Sequence, residues 1–427
     1  MNIDRRQFLA LIPAAASAAE TPSGQPAIIK QVDIIHHSDV GYTDLPSVTR
    51  DLQKRYLDAA IDRCASDPHF RWTAEAILTV EDWWRASSPA RRQQFISLIR
   101  AGRMDVTALP FNQTPFQNAE QWRQMVNWLP DALWRDLQVR VAMQDDVNGF
   151  PRAGAMRLLD KGVKHLLMGI NADSGGPPFR RPSAFWWKMP DGRRMFVWLG
   201  DHYGTAYSYF EAQNWLRGGR ATMTELGPPR PGDVLKTSEQ ELRTSHRHFL
   251  SRLAKLEKDG YDQPRLILLY TNQWRYDNDP PFTPLSDFIE AWNKLGLKPA
   301  LRFTTATDAV QSFERDFGAR IPEREGEWTD WWANGDASGP RELAASRIAK
   351  RKLAAAMSPA WGPMQASAQP SIEQILKDLC LFDEHTWGAD TSVSQPDAIE
   401  TIGQYTEKSV LAHRPRAAAE WLLSRRA

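Results

Sequence analysis

The chain has 427 residues, with 53 Lys and Arg against 52 Asp and Glu. That balance leaves no basic stripe to neutralise phosphates and argues against nucleic acid as a partner. The length exceeds one small core and predicts a large catalytic-type domain with a smaller one beside it. Eighteen Trp suit sugar platforms, and they suit buried cores equally well.

The chain begins MNIDRRQFLALIPAAASAAETPSG. Arg5 and Arg6, the short apolar stretch from Phe8 to Ala16 and the small residues after it lay out a cleavable export signal over residues 1–19, of twin-arginine type. Cleavage near Ala18 or Ala19 satisfies the small-residue rule. The stretch is shorter than the ~20 apolar residues that span a bilayer. No cysteine follows it, so no membrane anchor is expected after cleavage. The expected location is the periplasm or the outside of the cell. Cys64 and Cys380 lie far apart without a motif around either, and two free buried thiols are expected.

From residue 27 to 320, short apolar runs alternate with helical stretches. KQVDIIHH (30–37), FRWTAEA (70–76), RMDVTALPF (103–111), VRVAMQDD (139–146), HLLMGIN (165–171), RMFVWLG (194–200) and RLILLYT (265–271) read as strands. Helices are predicted from about Ser47 to Cys64 and over 90–102, 119–136, 152–162 and 239–260. Such alternation implies a parallel sheet with crossover helices. The fold class is therefore α/β, a parallel β/α barrel of seven or so strands. Residues 321–339 form a junction. Beyond it, 340–427 holds three helical runs with no strand between them, which predicts a three-helix bundle.

Sites in parallel β/α folds lie at the C-terminal ends of strands. His37 and Asp39 follow the first strand, and Asp145 and Asp146 close the fourth. YTNQWRYDNDPP (270–281) follows the seventh and carries Asp277 and Asp279. FDEHTWGADTS (382–392) puts His385 at the end of a helix. Two imidazoles with two carboxylates make a mixed nitrogen and oxygen site suited to Zn²⁺ or a similar divalent ion. In an extended His37-Ser38-Asp39 both ligands would share one face, and Gly41 would let the chain turn close by. The stretch DNDPP also reads as a plain turn. His36 is expected to pack beside the site. His202 is expected to be structural, His246 and His248 to lie on a solvated helix face, and Trp328, Trp331 and Trp332 to pack.

In combination and in this order, HHSDVGYTD, QDDVNGFP, GEWTDWWANGDAS and DEHTWG resemble the landmarks of glycoside hydrolase family 38, the α-mannosidases, and most of all its bacterial branch. The likeness runs from about residue 30 to the C-terminus. It implies one divalent metal, Zn²⁺ foremost with Ca²⁺ or Co²⁺ as alternatives, held by His37, Asp39, Asp146 and His385. It also implies an α-mannoside-like carbohydrate substrate, with Asp146 as nucleophile and a covalent glycosyl-enzyme resolved with retention. Tyr42 would stack on the sugar, with Asp145 and Trp387 as further sugar contacts. The resemblance places the general acid after a late barrel strand. Asn272 and Gln273 cannot donate as a carboxylic acid does, so the role falls to Asp277, with Asp279 in reserve. Family members continue into β-rich domains beyond the helical one, whereas this sequence ends soon after His385. A degenerate member that keeps the metal and sugar site without turnover is the second expectation. A metal-dependent polysaccharide deacetylase is the third; it would use metal-bound water as nucleophile and have no need of His385.

Overall fold

A computed structural model describes residues 28–171, 175–204, 206–210, 235–271, 278, 280–281, 284–329, 332, 339–387, 391–392 and 394–426. The export-signal stretch, Asn272, Gln273, Asp277, Asp279 and Trp331 lie outside the described residues.

The strands in chain order are β1 Gln31–His36, β2 Trp72–Ala74, β3 Met104–Val106, β4 Val141–Met143, β5 His165–Ile170, β6 Ser183–Lys188, β7 Arg194–His202, β8 Arg265–Tyr270, β9 Ala300–Phe303 and β10 Glu323–Arg324. The helices of six residues or more are α1 Pro46–Ser66, α2 Ile77–Ala86, α3 Pro89–Arg100, α4 Ala119–Val126, α5 Asp131–Asp136, α6 Arg152–Asp160, α7 Glu239–Lys258, α8 Pro284–Lys294, α9 Ala306–Phe317, α10 Pro340–Ala356, α11 Gln369–Phe382 and α12 Ile399–Ser424.

β1 lies between β8 and β9 and is parallel to both, with Gln31 opposite Arg265 and Ala300. It is buried from Val32 onward, as the near-continuous apolar run of a covered parallel strand requires. Its one acid, Asp33, is fully buried and paired with Arg302 at 2.8 Å. A second sheet runs β10-β6-β7-β5-β4, and a third pairs β2 with β3. Beyond β3, the amide of Ala108 donates to Val141 O at 2.8 Å, which joins the third sheet to the second. Among the described residues, every strand pairing is parallel except β6 with β7. The result is a mixed α/β fold with parallel sheets.

All seven expected strands form, and the expected helices form in their places. The corrections are additions and one split. β6, β9 and β10 were not expected. β6 and β7 make an antiparallel hairpin through Pro190-Asp191-Gly192, with Gly192 at φ 85°, a conformation glycine adopts at no steric cost. The sheets are therefore not purely parallel. α2, α8 and α9 were also missed, and the helix expected over 119–136 divides into α4 and α5 at Pro130, which caps the second.

α10, α11 and α12 share an apolar cluster that includes Leu353, Leu376, Leu379 and Leu422. No described helix is long and apolar enough to cross a membrane. The turn after α11 is tied to the strand ends by Asp383. Its carboxylate accepts from Lys350 Nζ at 2.5 Å and Gln121 Nε2 at 2.7 Å, and its carbonyl accepts from Thr114 N at 3.1 Å. An antiparallel bridge between Gln113 and Glu384 and a bond from His385 N to Asn112 O complete the junction. These contacts carry His385 to the strand ends. Cys64 and Cys380 are buried and free, as expected.

Candidate active site

His36 is the last residue of β1. Its ring stacks on Trp72 with centroids 3.5 Å apart, and Nδ1 lies 3.3 Å from Thr73 O. Burial pushes its pKa down to about 3, so it is a neutral packing residue. His37 points elsewhere. Its Nδ1 is 2.5 Å from Glu75 Oε2 and 3.3 Å from Asp145 Oδ2. Its Nε2 is buried without a hydrogen-bond partner. Burial opposes charge on this ring, yet Glu75 and Asp145 outweigh it and raise the pKa.

Glu75 ends the segment after β2 and is itself held by Ser38 N at 3.0 Å and Asn112 Nδ2 at 3.1 Å. Asp145 has no exposed surface. Its carboxylate accepts from Gly169 N, and its own amide donates to Asn112 Oδ1. Burial, then the charge on Glu75, push its pKa up to about 8. It props His37 from beneath, so the expected sugar contact at Asp145 is corrected: a fully buried carboxyl has no surface to offer a sugar.

Asp146 has φ 63°, a left-handed conformation that Asp tolerates better than most residues. The turn lifts its carboxylate out of the sheet. Oδ1 accepts from Asn171 Nδ2 at 2.6 Å, and Oδ2 lies 2.9 Å from His385 Nε2. Burial works against ionisation here, but His385 and Asn171 overcome it and hold the pKa below the usual carboxylate range. Asp39 Oδ2 also approaches His385 Nε2, at 3.1 Å. For Asp39 burial prevails over His385, and its pKa rises. On its other side His385 Nδ1 lies 2.9 Å from Glu384 Oε1, off the hydrogen-bond direction. Glu384 is paired with Lys408 of α12 at 2.7 Å. Its burial is outweighed by that cation, which lowers its pKa.

Three of the four expected ligands are thus brought together, and the fourth, His37, falls in a separate group. Asp39, Asp146 and His385 meet at His385 Nε2. His37 sits in the neighbouring triad with Glu75 and Asp145. Separations of 2.9–3.1 Å between these atoms are hydrogen-bond distances, a little inside the roughly 3.4 Å edge of a tetrahedral site with ~2.1 Å bonds, so a small parting of the side chains would admit an ion. His37 Nε2 and Asp39 Oδ2 are buried without a hydrogen-bond partner and are atoms a cation would satisfy, so these residues fit a divalent ion.

Around them, Gly41 is required by contact: a Cβ there would lie 2.2 Å from Thr386 Oγ1. Asn278 fixes the same loop through Gly41 O at 2.9 Å and Thr43 Oγ1 at 2.8 Å. Tyr42 follows at φ 70°, half-buried. Trp387 is corrected. Its ring is buried against Phe382 and Tyr405 in the helical cluster, a packing position in place of the expected sugar contact. Trp328 packs on Trp187 and Phe185, and Trp332 Nε1 donates to His385 O at 3.1 Å. His202 stacks on Tyr203, whose ring meets His37. His246 is more engaged than a solvated face implies, since its Nε2 lies 2.6 Å from Lys298 O.

The model of the glycosyl hydrolases family 38 N-terminal domain matches residues 32–332. The chain belongs to glycosyl hydrolase family 38. No curated protein matches its sequence. Among solved structures, an α-mannosidase from Enterococcus faecalis V583 superposes with a TM-score of 0.63 at 14% identity, covering 93% of this chain and 42% of that one. A protein in glycosyl hydrolase family 38 from Enterococcus faecalis gives 0.53 at 13% identity, over 93% and 40%. A 4-α-glucanotransferase from Thermococcus litoralis gives 0.50 at 12% identity, over 91% and 60%. The chain therefore spans about two-fifths of the two Enterococcus faecalis structures. Likeness at this identity establishes the fold.

Sequence reading of this family 38 chain missed Glu75, Asn112, Asn171 and Lys408. Only Glu75 had a signal, as an acid ending an apolar strand-like run.

Proposed function

We propose that the chain is a retaining, divalent-metal-dependent glycosidase acting on α-mannosides, with Asp146 as nucleophile. The observation that carries this reading is the meeting of Asp39, Asp146 and His385 at one imidazole nitrogen, from three distant parts of the chain. Asp146 combines ligand-type contact with a carboxylate held ionised and lifted from the sheet, which a nucleophile needs. The choice of sugar is supported by the Enterococcus protein of the same fold, which is an α-mannosidase.

His37 Nε2, Asp39, Asp146 and His385 Nε2 would hold the ion, with Zn²⁺ the best match to this donor set. The ion would supply Lewis-acid contact to sugar hydroxyls. The Asp146 carboxylate attacks the anomeric carbon as the glycosidic C–O bond breaks, forming a glycosyl ester. Water then cleaves the ester with net retention. Tyr42 offers a half-exposed ring for the sugar. Proton donation to the leaving oxygen is assigned to Asp277, with Asp279 in reserve. The same reading takes the three sheets as one barrel and α10–α12 as a bundle, in a protein exported through residues 1–19. The deacetylase alternative is disfavoured, because that chemistry has no use for His385 beside Asp146.

The test is hydrolysis of an aryl α-mannoside by chelator-stripped protein with added Zn²⁺, Ca²⁺ or Co²⁺. Metal-restored turnover with an α-configured first product is expected. A protein that binds the ion and turns over no mannoside with any of the three overturns the catalytic reading in favour of the degenerate one.

A further inference from the structure

Both histidines of the candidate centre have a carboxylate at the ring nitrogen that faces away from the proposed ion. Behind His37, Glu75 Oε2 stands 2.5 Å from Nδ1. Behind His385, Glu384 Oε1 stands 2.9 Å from Nδ1, at a poorer angle. All four residues are buried. A neutral imidazole has one N–H and one lone pair, and an acceptor at Nδ1 keeps the proton there and the lone pair on Nε2. His37 Nε2 is the buried atom without a partner, and His385 Nε2 is the atom that meets Asp39 and Asp146. Neither carboxylate is free to swing. Glu75 is fixed by Ser38 N and Asn112 Nδ2. Glu384 is fixed by Thr386 N at 2.9 Å, Thr386 Oγ1 at 2.6 Å and Lys408 Nζ at 2.7 Å. Asp145 also faces His37 Nδ1, but at 3.3 Å, beyond the 2.7–2.9 Å of a strong charge-assisted bond.

We propose that Glu75 and Glu384 are positioning residues that fix the tautomer and ring orientation of His37 and His385, so that both present Nε2 to one divalent cation. This rests on the metal reading above. Carboxylates placed behind ligating imidazoles orient the ring and raise its basicity, and losing one weakens metal binding about 10–100-fold. Glu75 makes the shorter and better-aligned contact, so it carries the larger effect.

The experiment titrates the chelator-stripped full chain with Zn²⁺ against a chromophoric competitor, and with Co²⁺ by its d–d absorption, alongside the Tm of the metal-free protein. Glu75→Gln and Glu384→Gln are expected to weaken Zn²⁺ binding by ~10–100-fold, most for Glu75→Gln. Both should alter the Co²⁺ band. The metal-free Tm of Glu75→Gln should hold within a few degrees, while that of Glu384→Gln falls because Lys408 loses its buried partner. The Glu384 arm is therefore judged on the double variant Glu384→Met with Lys408→Met, which removes both charges and should show the same loss. Wild-type protein that binds neither ion overturns the metal reading and this inference with it. Wild-type protein that binds, with variants that bind equally well, overturns this inference alone. Affinity lost only in step with a large fall in metal-free Tm also overturns it, since that would be a purely structural effect.

Discussion

The sheet half of the candidate centre and the helical half hold their histidines by different means. His37 follows β1 directly, and Glu75 behind it follows β2. Backbone ladders set where these strand ends lie, and one amide and one backbone N–H fix Glu75. His385 lies in the turn after α11, and the acid behind it is its own neighbour, Glu384. What fixes Glu384 is a lysine from another helix, Lys408 of α12. A strand end is placed by the sheet it belongs to. A helix end has no ladder, so its place depends on side-chain ties such as Lys350 to Asp383 and Lys408 to Glu384. The sheet half is thus rigid by construction, and the helical half only while α12 stays docked.

The largest expected effect falls where the halves meet. Asp146→Asn keeps a residue that tolerates the left-handed turn and removes the proposed nucleophile. Turnover of an aryl α-mannoside should fall roughly ten-thousandfold or more, with ion binding still measurable by titration. Retained turnover would move the nucleophile elsewhere. Next comes Lys408→Met, aimed at the helical half alone. The lysine is buried with Glu384, and removing one partner of a buried pair typically costs about 3–5 kcal/mol. Urea unfolding of the metal-free protein measures this. A change of less than about 1 kcal/mol would mean that the helical half does not rely on the tie.

The same contrast explains what could be read from the sequence. Parallel strands buried on both faces are apolar runs, and all seven such runs were legible, from QVDIIH to RLILLY. β6 was missed although PDG beside it is a hairpin signal, because SAFWWK sits against RRP and reads as loop. β9, ALRF, is only four residues long and interrupted by Arg302. In the site, His37, Asp39, Asp146 and His385 carry motif spacing. Asp145 and Trp387 were misplaced because adjacency in a motif says nothing of which way a side chain turns. The one is buried beneath His37 and the other in the helical core. Lys408 was illegible for a plainer reason: it is 24 residues from Glu384, on a helix whose sequence marks no single apolar face.

Gly41 joins the two halves sterically and sets a smaller test. Alanine there must displace Thr386 Oγ1, which also bonds Glu384 Oε2 at 2.6 Å. Overpacking of this kind costs about 1–3 kcal/mol. Thr386→Ala opens the space, so the double variant should lose less stability than the sum of the singles. Strict additivity in thermal unfolding would show that the halves are not coupled at this contact.

The smallest effect is in pH. In the metal-free protein burial opposes charge on both histidines, but their acidic neighbours win and raise both pKa values. A raised histidine stabilises fully below its unfolded value near 6.5, and that stability is lost as pH climbs through the folded value. Asp145, raised to about 8, acts in the same direction: it keeps its proton where the unfolded chain has lost it, so stability falls from about pH 4 up to 8. The lowered Asp146 stabilises above its unfolded value and is constant across neutral pH. Metal-free Tm should therefore drop between about pH 6.5 and 8. An ion needs both imidazoles neutral and must displace their protons. Zn²⁺ affinity should thus rise over the same window, by about 1.4 kcal/mol per pH unit for each proton displaced. Glu75→Gln weakens the proton's hold on His37 and leaves His385 untouched, so the pH slope of Zn²⁺ binding should drop toward that of one proton. An unchanged slope would mean that the helical half alone sets the proton count.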